Sequence, residues 1–147
     1  MQVRNAHHLK AHNPEGFKVL EKYITNYLSR KGRNVDNMVK ALQRNRAKYR
    51  KLSYEDALEE LICNALSDIA TDENAMSAFL ELNESERKTL ISVLRDIAQK
   101  IRDWAKSLTG QEYRRLVTES ENLRYLANEL NKQLKKIEEQ KKPQEVV

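Results

Sequence analysis

The spacing of apolar residues is the feature that most constrains this chain, because it follows the period of an α-helix almost from end to end. In the clearest stretch, leucine or isoleucine recurs every seven residues, at Leu116, Leu123, Leu130 and Ile137. Glycine and proline, which interrupt helices, occur only three and two times in 147 residues. No segment shows the strict alternation that indicates a β-strand. The sequence therefore predicts an all-α fold of about five to six helices.

Capping signals predict where the first three helices begin. Asn13 and Pro14 suit the start of the first helix, because Asn caps helices and Pro is favoured at their first position. Gly32 is expected to end that helix. A second helix is predicted from about Val35, and Ser53 is expected to open the third.

Two further helices are predicted before the long C-terminal one. The stretch TDENAMSAFLEL suits a short fourth helix. Asn83 and Glu86 have the spacing of a capping box, in which each side chain satisfies a backbone N–H of the other residue, so they should start the fifth helix. Gly110 is expected to stop this helix at its C-terminal end.

The last segment, about residues 111–142, is predicted to be one long amphipathic helix or a short coiled coil, since a seven-residue repeat suits both. Glu119 and Gln133 interrupt its apolar seam. We expect this helix to pack on its own domain at its start and to project or pair at its end. The candidate partners for its end are the parent polypeptide, another protein or a second copy of the chain. The alternative is that the whole helix packs within the chain. The chain thus divides into a compact helical domain, 1–109, and a helix with a frayed tail, 110–147.

Positive charge is concentrated between Arg30 and Lys51, where nine Lys and Arg residues accompany one Asp. Since the net charge of the whole chain is +5, the remainder is slightly acidic. Such a run can neutralise nucleic-acid phosphates in a salt-sensitive manner. Its alternative role is a solvated surface that keeps the protein soluble. The candidate nucleic-acid contacts are Arg44, Arg46, Lys48, Arg50 and Lys51.

Composition also indicates the compartment. No apolar run approaches the roughly 18 residues that a membrane helix needs, and no apolar N-terminal stretch resembles a signal peptide. The single cysteine, Cys63, excludes an intrachain disulfide framework. We therefore expect a cytoplasmic protein without a membrane partner.

Three histidines, His7, His8 and His12, raise the question of a zinc site. His8 and His12 have the four-residue spacing with which the His-Glu-x-x-His motif of zincin metallopeptidases binds zinc from one helix face. In that motif a glutamate after the first histidine acts as general base on the zinc-bound water. Leu9 occupies this position here. Taken alone, the three residues are better interpreted as surface histidines.

Two longer stretches change this interpretation. The sequences HHLKAHNPEGFKVLEKYITNYL and SYEDALEELICNALSDIATDENAM, together with KIRDWAKSL further on, resemble the zincin-like metallopeptidase region of large polyvalent, MuF-type proteins of phages and conjugative elements. The resemblance covers about residues 6–108. In that family a helix of the form H-E-L-T-H-Y-L-K precedes a Pro-Glu segment, and a second helix, E-E-I-V-A-D, supplies the third zinc ligand.

The resemblance implies a metal site that has lost most of its parts. The second motif histidine falls on His7 and the third ligand on Glu60, whereas Val3 and Arg4 stand where the family has the first histidine and the catalytic glutamate. A guanidinium has no acceptor and does not deprotonate, so Arg4 cannot activate water. Two ligands are too few for a tight site, although His8 and His12 are alternative ligands.

The sequence therefore predicts a degenerate or truncated metallopeptidase region, bacterial and without catalytic residues, that binds either no cofactor or zinc. If it were active, it would be a zinc-dependent peptidase. The alternative functions are a helical interaction module acting through the C-terminal helix and a non-specific binder of nucleic acid or another polyanion through residues 30–51.

Overall fold

The computed structural model describes residues 12–46, 53–69 and 72–141. Within these ranges the chain forms six helices: α1 (Pro14–Arg30), α2 (Val35–Arg46), α3 (Tyr54–Ile69), α4 (Asn74–Leu80), α5 (Glu84–Ala105) and α6 (Gly110–Lys141). The predicted all-α fold is confirmed, because every regular element described is a helix. No helix in the described part of the chain has the length and apolar character needed to cross a membrane.

The predicted boundaries of α1 are confirmed by its caps. The Asn13 side chain accepts a hydrogen bond from the backbone N–H of Gly16 at 3.0 Å, and Pro14 occupies the first helical position. After Arg30 the chain turns through Gly32, whose φ of +73° lies in the left-handed region that favours glycine. This turn separates α1 from α2.

The start of α5 is also confirmed, but its predicted end is wrong. Asn83 and Glu86 form the full capping box. The helix ends at Ala105, and the N–H of Leu108 bonds to the Ala105 carbonyl in a tighter turn, from which the Leu108 side chain packs against the core. Gly110, with φ of +65°, lies at the start of α6 instead, where its left-handed backbone lets the chain reverse direction.

Helix α1 lies at the centre of the molecule and packs against α3, α4 and α5. Its inward face is almost completely buried, at Phe17, Leu20, Tyr23, Ile24, Tyr27 and Leu28. The approach to α5 is close at Gly16, where a Cβ atom would lie 2.7 Å from Cγ2 of Val93. A single core of aliphatic and aromatic side chains therefore joins the described helices.

Helices α5 and α6 form the most extensively packed pair. The seam of α6 is buried within the chain, at Leu116, Leu123, Leu126, Ala127, Leu130 and Leu134. Ser120 is also fully buried, and its hydroxyl donates a 2.7 Å hydrogen bond to the Ala98 carbonyl of α5. Near the far end Lys88 lies 3.7 Å from Glu138. Because α6 stays against α5 this far along its length, it does not project as we expected.

Candidate functional site

The predicted metal ligands are only partly within the described structure. His7 and His8 lie outside the described residues, as does the side chain of Glu60, whose backbone belongs to α3. His12 is exposed and directly precedes the Asn13 cap. Among the residues that the structure describes, no three His, Cys, Asp or Glu side chains are grouped closely enough to hold a metal ion.

The two stretches that carry the metallopeptidase resemblance lie on helices that contact each other. The first leads into α1 and the second forms α3, and these helices pack directly together. On the α3 side the contact with the core is apolar and closely packed, with Ala57 and Ile69 fully buried and Ile62 1% exposed. The interior beside these helices is therefore filled by hydrocarbon side chains.

The basic segment divides into two parts with different roles. Arg30 and Lys31, at the end of α1, form ion pairs with residues far away in the sequence: Arg30 lies 2.6 Å from Glu81, and Lys31 lies 3.1 Å from Asp72. Both acidic partners flank α4. These two cations therefore fasten α4 to α1 and contribute to the fold.

The second part of the basic segment faces solvent along α2. Arg33, in the turn before α2, and Lys40 and Arg44 on the helix are exposed. Lys40 pairs with Asp36 at 3.0 Å across one helical turn. Of the nucleic-acid contacts predicted from the sequence, only Arg44 can be placed: the Arg46 side chain and Lys48, Arg50 and Lys51 lie outside the described residues.

A hydrogen-bonded cluster around Asp72 joins the end of α1 to the start of α4. The Tyr27 hydroxyl donates to Oδ2 of Asp72 at 2.9 Å, and the backbone N–H of Asn74 donates to Oδ1, also at 2.9 Å. Next to it, the buried Tyr23 hydroxyl donates to the Ala75 carbonyl at 3.0 Å. Sequence patterns missed this cluster, because its partners are about 45 residues apart and none belongs to a recognised motif.

The contacts within this cluster shift the pKa values of its titratable groups away from neutral pH. The Asn74 backbone N–H, together with Lys31 and Tyr27, lowers the pKa of Asp72 to about 2 against the opposing effect of burial. The hydrogen bond to Asp72 in turn raises the pKa of Lys31. The pKa of Tyr27 is also raised, mainly by burial and to a smaller extent by its hydrogen bond to the Asp72 carboxylate. These groups keep one protonation state near neutral pH, so they are suited to a structural role rather than to proton transfer.

Within the described residues, two of the shallow clefts lie beside α5. One, of about 350 Å³, lies between α1 and α5 and contains Lys22 and Glu86. The Glu86 carboxylate accepts a hydrogen bond from the Asn83 backbone N–H and pairs with Lys22 at 2.9 Å. Both contacts lower the pKa of Glu86, and the bond from Asn83 has the larger effect. The other, of about 340 Å³, lies between α5 and α6 beside Arg95 and Leu134. Because Glu86 is held ionised by its partners, it is not tuned to act as a general base near neutral pH.

Comparison with family models, curated proteins and solved structures gives no match for this chain.

Proposed function

We propose that this chain is a degenerate zincin-like metallopeptidase region of a mobile-element protein, acting in the bacterial cytoplasm as a helical scaffold without peptidase activity. The observation that carries the proposal is the pairing of α1 with α3. The first stretch with the metallopeptidase resemblance runs into α1 and the second forms α3, so this contact holds the two stretches next to each other. A zincin site takes ligands from both stretches.

The loss of catalysis follows from residue chemistry. Val3 has no lone pair with which to bind zinc, and Arg4 cannot take a proton from water. These are the positions of the first ligand and of the general base in the resemblance. A zincin without both groups cannot generate the zinc-bound hydroxide on which hydrolysis depends.

The scaffold role is supported by the way the described polar groups are used. Asp72 and Glu86, which are partly buried, and the exposed Glu81 each bind a cation of α1 or of the residue that follows it. A chain whose acidic groups bind its own helices together retains a stable fold after its chemistry is lost.

Zinc titration by calorimetry tests the proposal. We expect no binding, or weak binding that is equal in the wild type, in His7→Ala/Glu60→Ala and in His8→Ala/His12→Ala. Glu73→Ala, which removes an exposed carboxylate beside α4, is the matched control for loss of surface charge. A peptide-library hydrolysis assay with added zinc should show no cleavage above the buffer rate.

Tight one-to-one binding that either double variant abolishes, together with zinc-dependent cleavage, would overturn the proposal. It would mean that replacement ligands rebuild the centre. Tight binding without cleavage would retain the inactive assignment but would identify a structural zinc site.

A further inference from the structure

We propose that the outer surface of α2 and the turn before it bind the phosphate backbone of double-stranded nucleic acid through Arg33, Lys40 and Arg44. This activity is separate from the scaffold role and does not depend on the metallopeptidase resemblance. It rests on the burial of α2, on the pairing of its charges and on the polarity of its exposed face.

Helix α2 contributes little to the core for its length. Among its described side chains only Val39 is buried, and Val35, Met38 and Leu42 are partly buried against the core. Twelve residues of α-helix span about 18 Å, the length of roughly five base pairs. The helix therefore presents a long face to solvent while a narrow apolar stripe holds it in place.

The exposed cations on this face are available to an external anion. Lys40 and Arg44 are four residues apart and so lie on the same side of α2. Within the described part of the chain, Arg33 and Arg44 form no ion pair. Lys40 pairs with Asp36, but both side chains are more than half exposed, and a surface pair of this kind contributes only about 0–1 kcal/mol. A phosphate can compete with a pair that weak.

The two other cations within residues 30–44 are already engaged. Arg30 and Lys31 pair with Glu81 and Asp72, so they fasten α4 and are not free for a ligand. Among the cations of residues 30–44, the structure thus leaves three candidate contacts, Arg33, Lys40 and Arg44, on one surface.

The polarity of this face favours a duplex over other polyanionic partners. Besides Lys40 and Arg44, the exposed positions among the described side chains of α2 are Asp36 and Asn37. Next to them lies Tyr54 of α3, which is 42% exposed and forms a side-chain hydrogen bond with Asp36. A helix that inserts into a lipid surface needs exposed apolar side chains, and single-strand binding relies on aromatic stacking. The described α2 positions carry no exposed apolar side chain, and the Tyr54 hydroxyl is bound to Asp36. With Asp36 paired to Lys40, the cations and the Asn37 amide suit contacts to a phosphate backbone, which fix position without reading bases.

The test measures binding of a fluorescent 20-base-pair DNA duplex by anisotropy as salt is raised from about 50 mM. The variant is Arg33→Gln/Lys40→Gln/Arg44→Gln in the full chain. The matched control is Lys106→Gln/Arg114→Gln/Arg115→Gln, which removes the same residue types at exposed positions, one of them also in a surface pair, with Asp103. Circular dichroism confirms that both variants remain folded.

We expect the wild type to bind with an affinity that falls steeply with salt. The α2 variant should bind at least about tenfold more weakly at 50 mM salt, with a salt slope lower by roughly two to three, whereas the control should lose less than about threefold. An equal loss in both variants would overturn the proposal, because net charge alone would then explain binding. So would undiminished binding by the α2 variant, no binding by the wild type, or tighter binding to anionic vesicles than to DNA.

Discussion

The hydrogen bond between Tyr27 and Asp72 gives a sharp test of what fastens α4 to α1. Tyr27→Phe keeps the ring, which is only 1% exposed, and removes the hydroxyl that donates to Oδ2 at 2.9 Å. Hydrogen bonds to a charged group contribute about 1.5–3 kcal/mol. Asp72 keeps its bonds to Lys31 and Asn74, so it is not left unpaired. We therefore expect a loss near the lower limit, about 1.5 kcal/mol.

Urea unfolding at pH 7, followed by circular dichroism at 222 nm, measures this change in the free energy of unfolding. Tyr125→Phe is the matched control, because Tyr125 is 58% exposed and its loss should cost less than about 0.5 kcal/mol. A double-mutant cycle with Asp72→Asn should give a coupling of about 1 kcal/mol. Equal, small effects of Tyr27→Phe and Tyr125→Phe, or strict additivity in the cycle, would refute the reasoning.

Two other changes test the same fold. Gly16→Ala should lower the free energy of unfolding by about 1–3 kcal/mol, because the new methyl group would lie 2.7 Å from Val93 Cγ2. Ser29→Ala, at an exposed site on the same helix, is the control and should change the free energy of unfolding little. Equal urea midpoints for the two variants would contradict the close packing. Because the folded-state pKa of Asp72 is lowered, the stability advantage of the wild type over Asp72→Asn should be complete above the ordinary aspartate pKa of 3.8 and should shrink as the pH falls towards about 2. Urea midpoints of both proteins between pH 2 and 6 measure this advantage. An advantage that grows on acidification would contradict the prediction.

Local signals in the sequence predicted most of the helices correctly. The Asn13 cap and the Asn83–Glu86 box are confirmed because each depends on residues only three positions apart. Gly110 shows where local reasoning stops being sufficient. A glycine with positive φ suits either end of a helix connection, and the packing of Leu108, a tertiary contact, decides that α5 ends earlier.

The candidate site was less predictable, because charge runs do not show which cations are paired. Arg30, Lys31, Arg33, Lys40 and Arg44 look alike in the sequence. Only the fold brings Glu81 and Asp72 to the first two, and so leaves the others facing solvent. The sequence could identify a basic segment, whereas the division of its residues between fold and surface needed long-range contacts.

The Ser120 hydroxyl has a consequence for how α5 and α6 align. Leucines repeated every seven residues would fit equally well if α6 slid along α5 by one repeat, since apolar contact carries no direction. The bond from Ser120 to the Ala98 carbonyl forms in only one alignment. In a slipped hairpin the hydroxyl would lose this acceptor, at a cost of about 1–3 kcal/mol if it stayed buried and unsatisfied. One serine in a leucine seam thus selects a single register for α6, the longest of the described helices.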